Sequence, residues 1–379
     1  MIEILFLLLP LAFYSGWRSA KKNKSKPCVE PHKLADDYVK GVNYLLSEEP
    51  DKALEVFINH PDVDEYTAET YLLLGNMFRN RGEVDRALRL HQNLMARSSL
   101  TKSQKTSVLF ALGEDYFAAG MLDRAESVFQ ELLEADPNGV DACLPLRQIY
   151  EQTHEWEKAI QTTLCFRKKR LPESHQKLIA HYYCEMAEQE MSLGNLHRVE
   201  KYVLKAETSF KSSVRVMILQ ADLLERKKSY KAAFNTYLKA LKQDARVLSY
   251  LYSKIMKVSA VVGKDKELER VLLDLYKNND GVLSYLLMII SRNNTSTDFL
   301  IDDLRNRKLD IPSIIRSVGI LKNSNAICSE HEKLPLIEKA LTNYLKGEAI
   351  FQCQNCGYKM QNYMWRCPAC YQWDKVSHI

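Results

Sequence analysis

The sequence predicts an all-α chain: a solenoid of repeated helical hairpins, preceded by one apolar helix and followed by a small four-cysteine domain. Three observations support this fold class: a recurring spacing of 34 residues, a nearly continuous apolar stretch at Ile2–Trp17 and two Cys-x-x-Cys pairs close to residue 379. A chain of 379 residues is long for one compact core but ordinary for a solenoid, whose length depends on its repeat number. A hydrophobic content of 46% with 27% charged residues is typical of a folded protein.

The apolar stretch Ile2–Trp17 predicts a membrane anchor over residues 1–18. A helix that crosses a bilayer needs about 20 apolar residues, with a lower limit of about 17. The alternative is a cleavable signal peptide, which carries basic residues before its apolar run and a small-residue cleavage site after it. Here Glu3 lies near the start of the run and a lysine cluster follows it, so we predict an uncleaved single-pass helix.

Five basic residues directly after this stretch predict its orientation. Subtracting them from the 53 lysines and arginines leaves 48, which equals the 48 acidic residues. Because lysines and arginines beside a span stay on the cytoplasmic side, we expect a membrane-anchored protein with its bulk in the cytoplasm, joined by a basic tether at 19–33. The balanced remainder does not indicate nucleic-acid binding. The five residues are Arg18, Lys21, Lys22, Lys24 and Lys26.

Residues 34–346 form the predicted repeat array. Gly41 and Gly75 are 34 residues apart, and two later pairs of aligned positions, Gly113 with Arg147 and Ala187 with Ala221, have the same separation. A period of 34 with small residues at the eighth and twentieth positions is typical of tetratricopeptide repeats, in which the small residues let two helices approach closely. About 310 residues accommodate about nine repeats. The repeat pattern weakens after Ala260, and the sequence there is compatible with either degenerate repeats or a capping region.

The inner groove of such an array is a candidate partner-binding surface. Positions 5, 9 and 12 of the first helix of each repeat are expected to face the groove. The alternative is that the large apolar residues among them belong to the core. On the 34-residue frame the predicted groove residues are Leu72, Asn76, Arg79, Phe110, Glu114, Phe117, Leu144, Gln148, Ile218 and Asp222.

Four of the nine cysteines form a candidate metal site in a predicted domain at 350–379. The pairs Cys353/Cys356 and Cys367/Cys370 are separated by ten residues, and each Cys-x-x-Cys turn can direct two thiolates at one ion. Zinc and iron both accept four thiolates, so the spacing predicts one Zn or Fe ion without choosing between them. A segment of about 30 residues is too small for a core of its own, so the metal would supply most of its stability.

Other interpretations of this segment are weaker. One alternative is a pair of structural disulfides, which a cytoplasmic location disfavours, and another is a redox Cys-x-x-Cys. A nucleic-acid-binding ribbon would need more positive charge than Lys359, Arg366 and Lys375 set against Asp374. We expect the neighbouring aromatic residues to cover the metal site and to pack it onto the last helices of the array. These are Tyr358, Tyr363, Trp365, Tyr371 and Trp373.

The combination of anchor, basic tether, tetratricopeptide array and four-cysteine tail resembles the lipopolysaccharide assembly protein B family of Gram-negative bacteria. The local match lies in the tail and has two parts, Phe351–Tyr358 and Trp365–Cys370. The resemblance implies a rubredoxin-like metal domain with Cys353, Cys356, Cys367 and Cys370 as ligands. It also implies a non-catalytic inner-membrane adaptor or scaffold, which helps a membrane-bound AAA+ protease degrade the deacetylase that commits precursor to lipid A and thereby regulates lipopolysaccharide biosynthesis.

The implied partners are therefore the protease, the deacetylase and other lipopolysaccharide assembly proteins, with the oligomeric state left open and a homo-oligomer among the alternatives. The second functional hypothesis is a rubredoxin-type electron-transfer protein with iron at the four cysteines. Two departures weaken it: Tyr371 stands where rubredoxins usually have Gly, and the connection between the cysteine pairs is short. Motifs of metalloproteases, serine hydrolases and phosphate-binding loops do not occur in the sequence, so we predict that the chain is not an enzyme.

Overall fold

The computed structural model describes residues 39–41, 43–44, 47, 49–59, 65–135, 141–165, 171–277, 282–293 and 351–378. The predicted anchor at 1–18, the tether at 19–33 and the last part of the array, residues 294–346, lie outside the described residues. Among the helices that the structure describes, none is both long enough and apolar enough to cross a membrane.

The chain divides into two compact units, Met1–Ile149 and Tyr150–Ile379. Helix α6 (Cys143–Gln152) contains the division between them. The helices of the first unit that precede it are α1 (Pro50–Asn59), α2 (Glu65–Asn80), α3 (Val84–Met95), α4 (Lys102–Ala118) and α5 (Leu122–Ala135).

The second unit continues the helical series and then adds a small sheet. Its helices are α7 (Trp156–Leu164), α8 (Glu173–Leu193), α9 (Leu196–Ser209), α10 (Val214–Arg226), α11 (Tyr230–Gln243), α12 (Leu248–Val262), α13 (Asp265–Tyr276) and α14 (Leu283–Asn293), with a short 3₁₀ turn at Ala245–Val247. Three short strands follow: β1 (Phe351–Cys353), β2 (Lys359–Met360) and β3 (Val376–His378).

Helical hairpins are the repeating element of both units. Within the first unit α2 packs against α3 and α4 against α5, and within the second α8 packs against α9 and α10 against α11. We call the first helix of each hairpin helix A and the second helix B. This arrangement confirms the predicted mostly helical, tetratricopeptide-like solenoid.

Small residues on the A helices explain the close pairing. A Cβ placed on Gly113 would lie 2.7 Å from the Phe129 ring of the following B helix, and a Cβ on Gly75 would collide with the His91 ring in the same way. Phe129 is fully buried. A glycine at the eighth repeat position therefore lets a large side chain from helix B fill the space beside helix A.

Each unit buries its own apolar residues. In the first unit, a cluster around Phe57, Phe78 and Leu90 joins residues from α1 to α4. In the second unit, Phe234, Tyr237 and neighbouring residues of α10 to α14 form a larger cluster. Because each hairpin contributes to a core shared with the next one, no hairpin has to bury its apolar face alone.

The three strands at Phe351–His378 form an antiparallel sheet in the order β2-β1-β3. Phe351 pairs with Met360 on one side and with His378 on the other, and Cys353 pairs with Val376. The side chains of Phe351, Met360, Cys367 and Val376 are buried together. This sheet is too small to stabilise itself, and it carries the four-cysteine site.

Candidate metal centre and its docking surface

The first cysteine pair lies in a tight turn at the end of β1. The Gly357 amide donates to the Cys353 carbonyl at 2.9 Å, and the Cys353 amide donates to the Tyr358 carbonyl at 2.9 Å. Gly357 has a φ of 76°, in the left-handed region that glycine enters without a steric penalty. These bonds turn the chain back so that Cys353 and Cys356 point to the same side.

The second pair repeats this turn in nearly the same geometry. The Tyr371 amide donates to the Cys367 carbonyl at 2.9 Å, and the Cys367 amide donates to the Gln372 carbonyl at 2.9 Å. Tyr371 has a φ of 58°, so the turn holds a bulky residue in the conformation that Gly357 adopts in the first pair. This explains the preference of rubredoxins for glycine here, because a side chain in this region costs about 1 kcal/mol or more.

The four thiols converge on one point. Cys353 Sγ lies 3.7 Å from Cys370 Sγ, and Cys356 Sγ lies 3.7 Å from Cys367 Sγ. All four sulfur atoms lie within 4.8 Å of one another. Thiolates at the usual Zn–S distance of about 2.3 Å and at tetrahedral angles would be about 3.8 Å apart. The residues therefore fit a single tetrahedral ion, as predicted from the spacing.

Local hydrogen bonds prepare one of these thiols for metal binding. Hydrogen bonds from the Gln372 amide, and from the side chains of Asn355, Cys356 and Cys353, together lower the pKa of Cys370 to about 6, against the opposing effect of burial. A metal binds the thiolate and not the thiol, so a ligand that is already ionised at neutral pH can make the first bond. Cys353 and Cys367 are buried while Cys356 is exposed, so an ion would have access from one side.

Residues next to the cysteines attach this domain to the helical part of the second unit. Trp365 and Arg366 immediately precede Cys367, and Trp373 and Asp374 follow Cys370. The Asp374 amide donates to the Trp365 carbonyl at 2.9 Å, which holds the two segments side by side. We call these four residues the docking segment.

Arg366 makes the polar contact with α6. Its guanidinium donates to Glu151 Oε2 at 2.7 Å and to the Glu151 carbonyl at 3.1 Å. The other carboxylate oxygen of Glu151 accepts a short hydrogen bond from the Tyr182 hydroxyl on α8. The side chains of Arg366 and Glu151 are only 16% and 7% exposed, so this ion pair is largely removed from water.

His181, in the first half of α8, contacts the docking segment in two ways. Its imidazole stacks on the Trp373 indole, with ring centroids 4.7 Å apart. Its Nε2 lies 2.9 Å from Asp374 Oδ2. Burial alone would raise the pKa of Asp374, but the hydrogen bond with His181 and the charges of His181, Arg215 and Arg246 outweigh it and lower that pKa.

Arg215, at the start of α10, lies against both tryptophans of the docking segment. Its guanidinium is 5.7 Å from the Trp365 ring centroid and 5.7 Å from that of Trp373. It also pairs with Glu185 at 2.9 Å and with Glu188 at 3.0 Å. The next A helix contributes Tyr250, whose ring lies 6.1 Å from Trp365 and 5.7 Å from Tyr363.

The metal domain therefore contacts four successive A helices, α6, α8, α10 and α12. We expected the aromatic residues of the tail to pack on the last helices of the array, part of which lies outside the described residues. In the described part of the chain Tyr363, Trp365 and Trp373 pack on these four helices, whereas Tyr358 and Tyr371 are exposed. The receiving residues were not among those predicted from the sequence; they are Glu151, His181, Arg215 and Tyr250. A signal for two of them was present, because His181 and Arg215 are 34 residues apart and so occupy the same position of successive repeats.

The predicted groove residues are distributed over both units. In the first unit Arg79 pairs with Glu114 at 2.5 Å and with the buried Asp115 at 2.7 Å, and Phe110 meets Phe129 edge to face at 5.6 Å. Leu144 and Gln148 are exposed, whereas Leu72, Asn76 and Phe117 are half-buried.

In the second unit Ile218 is 1% exposed and belongs to the core cluster. Asp222 is half-buried and accepts hydrogen bonds from Tyr237 at 2.5 Å and from Lys254 at 2.7 Å. These two side chains are therefore engaged within the unit itself.

Comparison with protein families agrees with this architecture. Residues 351–377 match the family model described as a rubredoxin metal binding domain. Residues 70–105 and 116–163 match tetratricopeptide repeat models.

Curated relatives match over the whole chain. Lipopolysaccharide assembly protein B of Escherichia coli (strain K12) is 34% identical over 390 aligned positions, which cover 100% of this chain and 98% of the relative. The protein of that name from Haemophilus influenzae is 30% identical over 410 positions, with the same coverage. Among solved structures, a tetratricopeptide repeat protein from Parabacteroides merdae covers 73% of this chain and 100% of its own, at 14% identity and a TM-score of 0.36.

Proposed function

Because the chain belongs to the lipopolysaccharide assembly protein B family, we propose that it regulates lipopolysaccharide assembly as a non-catalytic adaptor. The family name of its full-length relatives supports the process. The mechanism proposed below rests in addition on the contacts between the metal domain and the repeats.

The observation that carries the adaptor proposal is the attachment of the metal domain to four A helices. Arg366 and Trp373 lie beside the cysteine turns and contact α6 and α8, so the positions of the turns and of these helices depend on one another. An ion at Cys353, Cys356, Cys367 and Cys370 would fix the turns and thereby the docking segment. In this proposal the metal, zinc or iron, has a structural role in forming a protein-binding surface.

We further propose that the surface brings a membrane-bound AAA+ protease together with the deacetylase that commits precursor to lipid A. An anchor at residues 1–18 would hold the array at the cytoplasmic face of the inner membrane. Tethering in this way raises the effective concentration of membrane partners without any new contact. The output of the pathway would then fall as the deacetylase is degraded.

A pulse-chase measurement of the deacetylase tests this mechanism. Cells that lack the chain should degrade the deacetylase more slowly, and cells that regain the unaltered chain should restore its half-life. An inactive protease should abolish the difference. If lipopolysaccharide levels change while the half-life of the deacetylase does not, the chain acts at another step of assembly and the proposed mechanism is wrong.

Protease protection tests the proposed topology. A protease added outside spheroplasts should leave the array intact and should digest it after the membrane is broken. Digestion of the array behind an unbroken membrane would contradict the proposed orientation.

The match to this family does not favour the electron-transfer alternative. Visible absorption provides the direct test, because a ferric tetrathiolate absorbs visible light and a zinc site does not. A coloured protein whose absorption bleaches and returns in reduction and oxidation cycles would support electron transfer over a structural role.

A further inference from the structure

We propose that a cleft beside the docking segment binds a small organic oxyanion, of which a phosphate monoester is the leading example. The cleft has a volume of about 390 Å³ and lies entirely within the second unit. It is bounded by the start of α8, the start of α10 and the metal domain. The lining residues used below include Lys177, His181, Ser212, Arg215, Arg246 and Trp365.

The first N-terminal turn of α10 forms one wall of this cleft. Ser212, Ser213 and Val214 line it, and Ser213 caps the helix by accepting from the Val216 amide at 3.4 Å. The free amides at a helix N-terminus carry a partial positive charge, which favours an anion there. A helix terminus alone is a common feature, so the proposal depends on the side chains around it.

Two buried side chains that line the cleft have polar atoms without partners. The Arg215 side chain is 2% exposed, and its Nη1 has no hydrogen-bond partner among the described residues, although Nε and Nη2 contact Glu188 and Glu185. His181 is 4% exposed, and its Nδ1 likewise has none within the described part of the chain. A buried donor without an acceptor is unfavourable, so an oxyanion would supply what Arg215 lacks.

The charges around the cleft are compatible with an anion. Arg246 holds Asp244 through contacts of 2.8 and 2.9 Å, and His181 holds Asp374, so both lining carboxylates already face a donor. The positive charge of Arg215 is offset by its ion pairs with Glu185 and Glu188. Lys177 pairs with Glu173 at 3.0 Å, so the N-terminal amides of α10 and the Nη1 of Arg215 provide the remaining attraction, which suits one phosphate or carboxylate group rather than a polyanion.

The rest of the cleft is apolar and aromatic. Phe210, Val214, Tyr363, Trp365 and Val376 line this side. A flat apolar group attached to the oxyanion would lie against these rings, while the oxyanion itself approaches Arg215 and Ser212. The polar and apolar lining residues together define the ligand class as a small amphipathic oxyanion.

Calorimetric titration of the metal-loaded, full-length protein with phenyl phosphate tests the proposal. We expect saturable binding by phenyl phosphate and none by phenol, which has the same ring without the charge. Benzoate distinguishes the source of the oxyanion, because tighter binding of benzoate than of phenyl phosphate would assign the cleft to carboxylates.

A matched pair of variants at the exposed Ser212 locates the binding. Ser212→Asp adds a negative charge before α10, where it favours the helix but repels an oxyanion, so the protein should fold normally and bind about tenfold more weakly. Ser212→Asn has the same shape without the charge and should bind within about twofold of the unaltered protein. Melting temperatures of both variants check the fold.

Three results would overturn the proposal. The first is the absence of saturable phenyl phosphate binding up to about 10 mM. The second is equal binding of phenol, which would show that the oxyanion is not recognised. The third is unaltered affinity in Ser212→Asp, which would place the binding elsewhere on the molecule.

Discussion

Arg366 and Glu151 form a salt bridge of 2.7 Å although 215 residues separate them in the sequence. Arg366 is adjacent to the metal ligand Cys367, and Glu151 lies in α6. The bond therefore connects the geometry of the second cysteine turn directly to a helix of the array. Its low exposure to solvent makes it a sensitive point, because a buried charge that loses its partner is costly.

The first prediction concerns this ion pair. Arg366→Met should lower the free energy of unfolding by about 3 kcal/mol, because Glu151 would remain buried without its cationic partner. Urea unfolding gives the stability, and hydrogen exchange of the β1–β3 amides reports on the attached domain. Lys359→Met removes an exposed charge from the same domain and should change stability by less than about 0.5 kcal/mol.

A double-mutant cycle distinguishes loss of the pair from loss of Arg366 packing. Arg366→Met combined with Glu151→Gln should cost less than the two single substitutions added together, by about 1 kcal/mol or more. Strict additivity would mean that the two side chains do not stabilise one another.

The second prediction concerns the metal ligands. Cys367→Ser should reduce bound metal by about one equivalent per chain, because three thiolates hold the ion much less firmly than four. Helix content should stay near normal by circular dichroism, since repeats depend mainly on their neighbours. Cys165→Ser, at an exposed cysteine outside the site, should keep its metal. Unchanged stoichiometry in Cys367→Ser would rule out a shared four-cysteine site.

The third prediction concerns acid sensitivity. The pKa of Asp374 is lower in the folded protein than its ordinary value of 3.8, so its ionised form stabilises the fold above that value and this contribution is lost as the pH falls below it. Asp374→Asn should therefore be less stable than the unaltered protein near pH 7, and the difference should shrink below about pH 4.

Comparing Asp374→Asn with the unaltered protein controls for the effect of pH on the cysteines. Both proteins have the same cysteine ligands, so the effect of ligand protonation cancels in the difference between their stabilities. A difference that stays constant from neutral pH to about pH 3 would show that ionisation of Asp374 does not contribute.

The fourth prediction concerns the groove surface. Leu144 is 44% exposed in the first turn of α6, where an acidic residue suits the helix terminus, so Leu144→Asp should change stability by less than about 0.5 kcal/mol. We expect it to weaken partner capture in crosslinking from intact membranes. Leu164→Asp, at a 41% exposed leucine on α7, is the matched control. Equal capture by both variants would argue against this surface.

The repeats could be predicted because their cause is local. Gly75 and Gly113 mark places where helix A meets a large side chain of helix B, and that requirement recurs with the hairpin. The four-cysteine site could also be predicted, because each Cys-x-x-Cys pair forms a turn within a few residues and tetrahedral coordination brings the two pairs together.

The docking contacts could not be predicted in the same way. Trp373 stacks on His181 and Arg366 pairs with Glu151 across very long separations, and such pairings leave no periodic trace in one sequence. The sequence indicated that the aromatic residues of the tail pack on the array, but it did not identify the residues that they contact. Likewise Ile218 shares its repeat position with exposed residues such as Leu144, and only the packing of its unit shows that it is buried.

The pairing of Arg366 with Glu151 also has a consequence for biosynthesis. Glu151 leaves the ribosome 215 residues before its partner, a delay of roughly 10–40 s at ordinary rates of elongation. A typical solenoid can complete each hairpin as it emerges, whereas the receiving faces of α6, α8, α10 and α12 must wait until the docking segment has been synthesised. Until then His181 and Arg215 lack their contacts with Trp373 and Asp374, so the packing of the second unit is completed only after the metal domain has been synthesised.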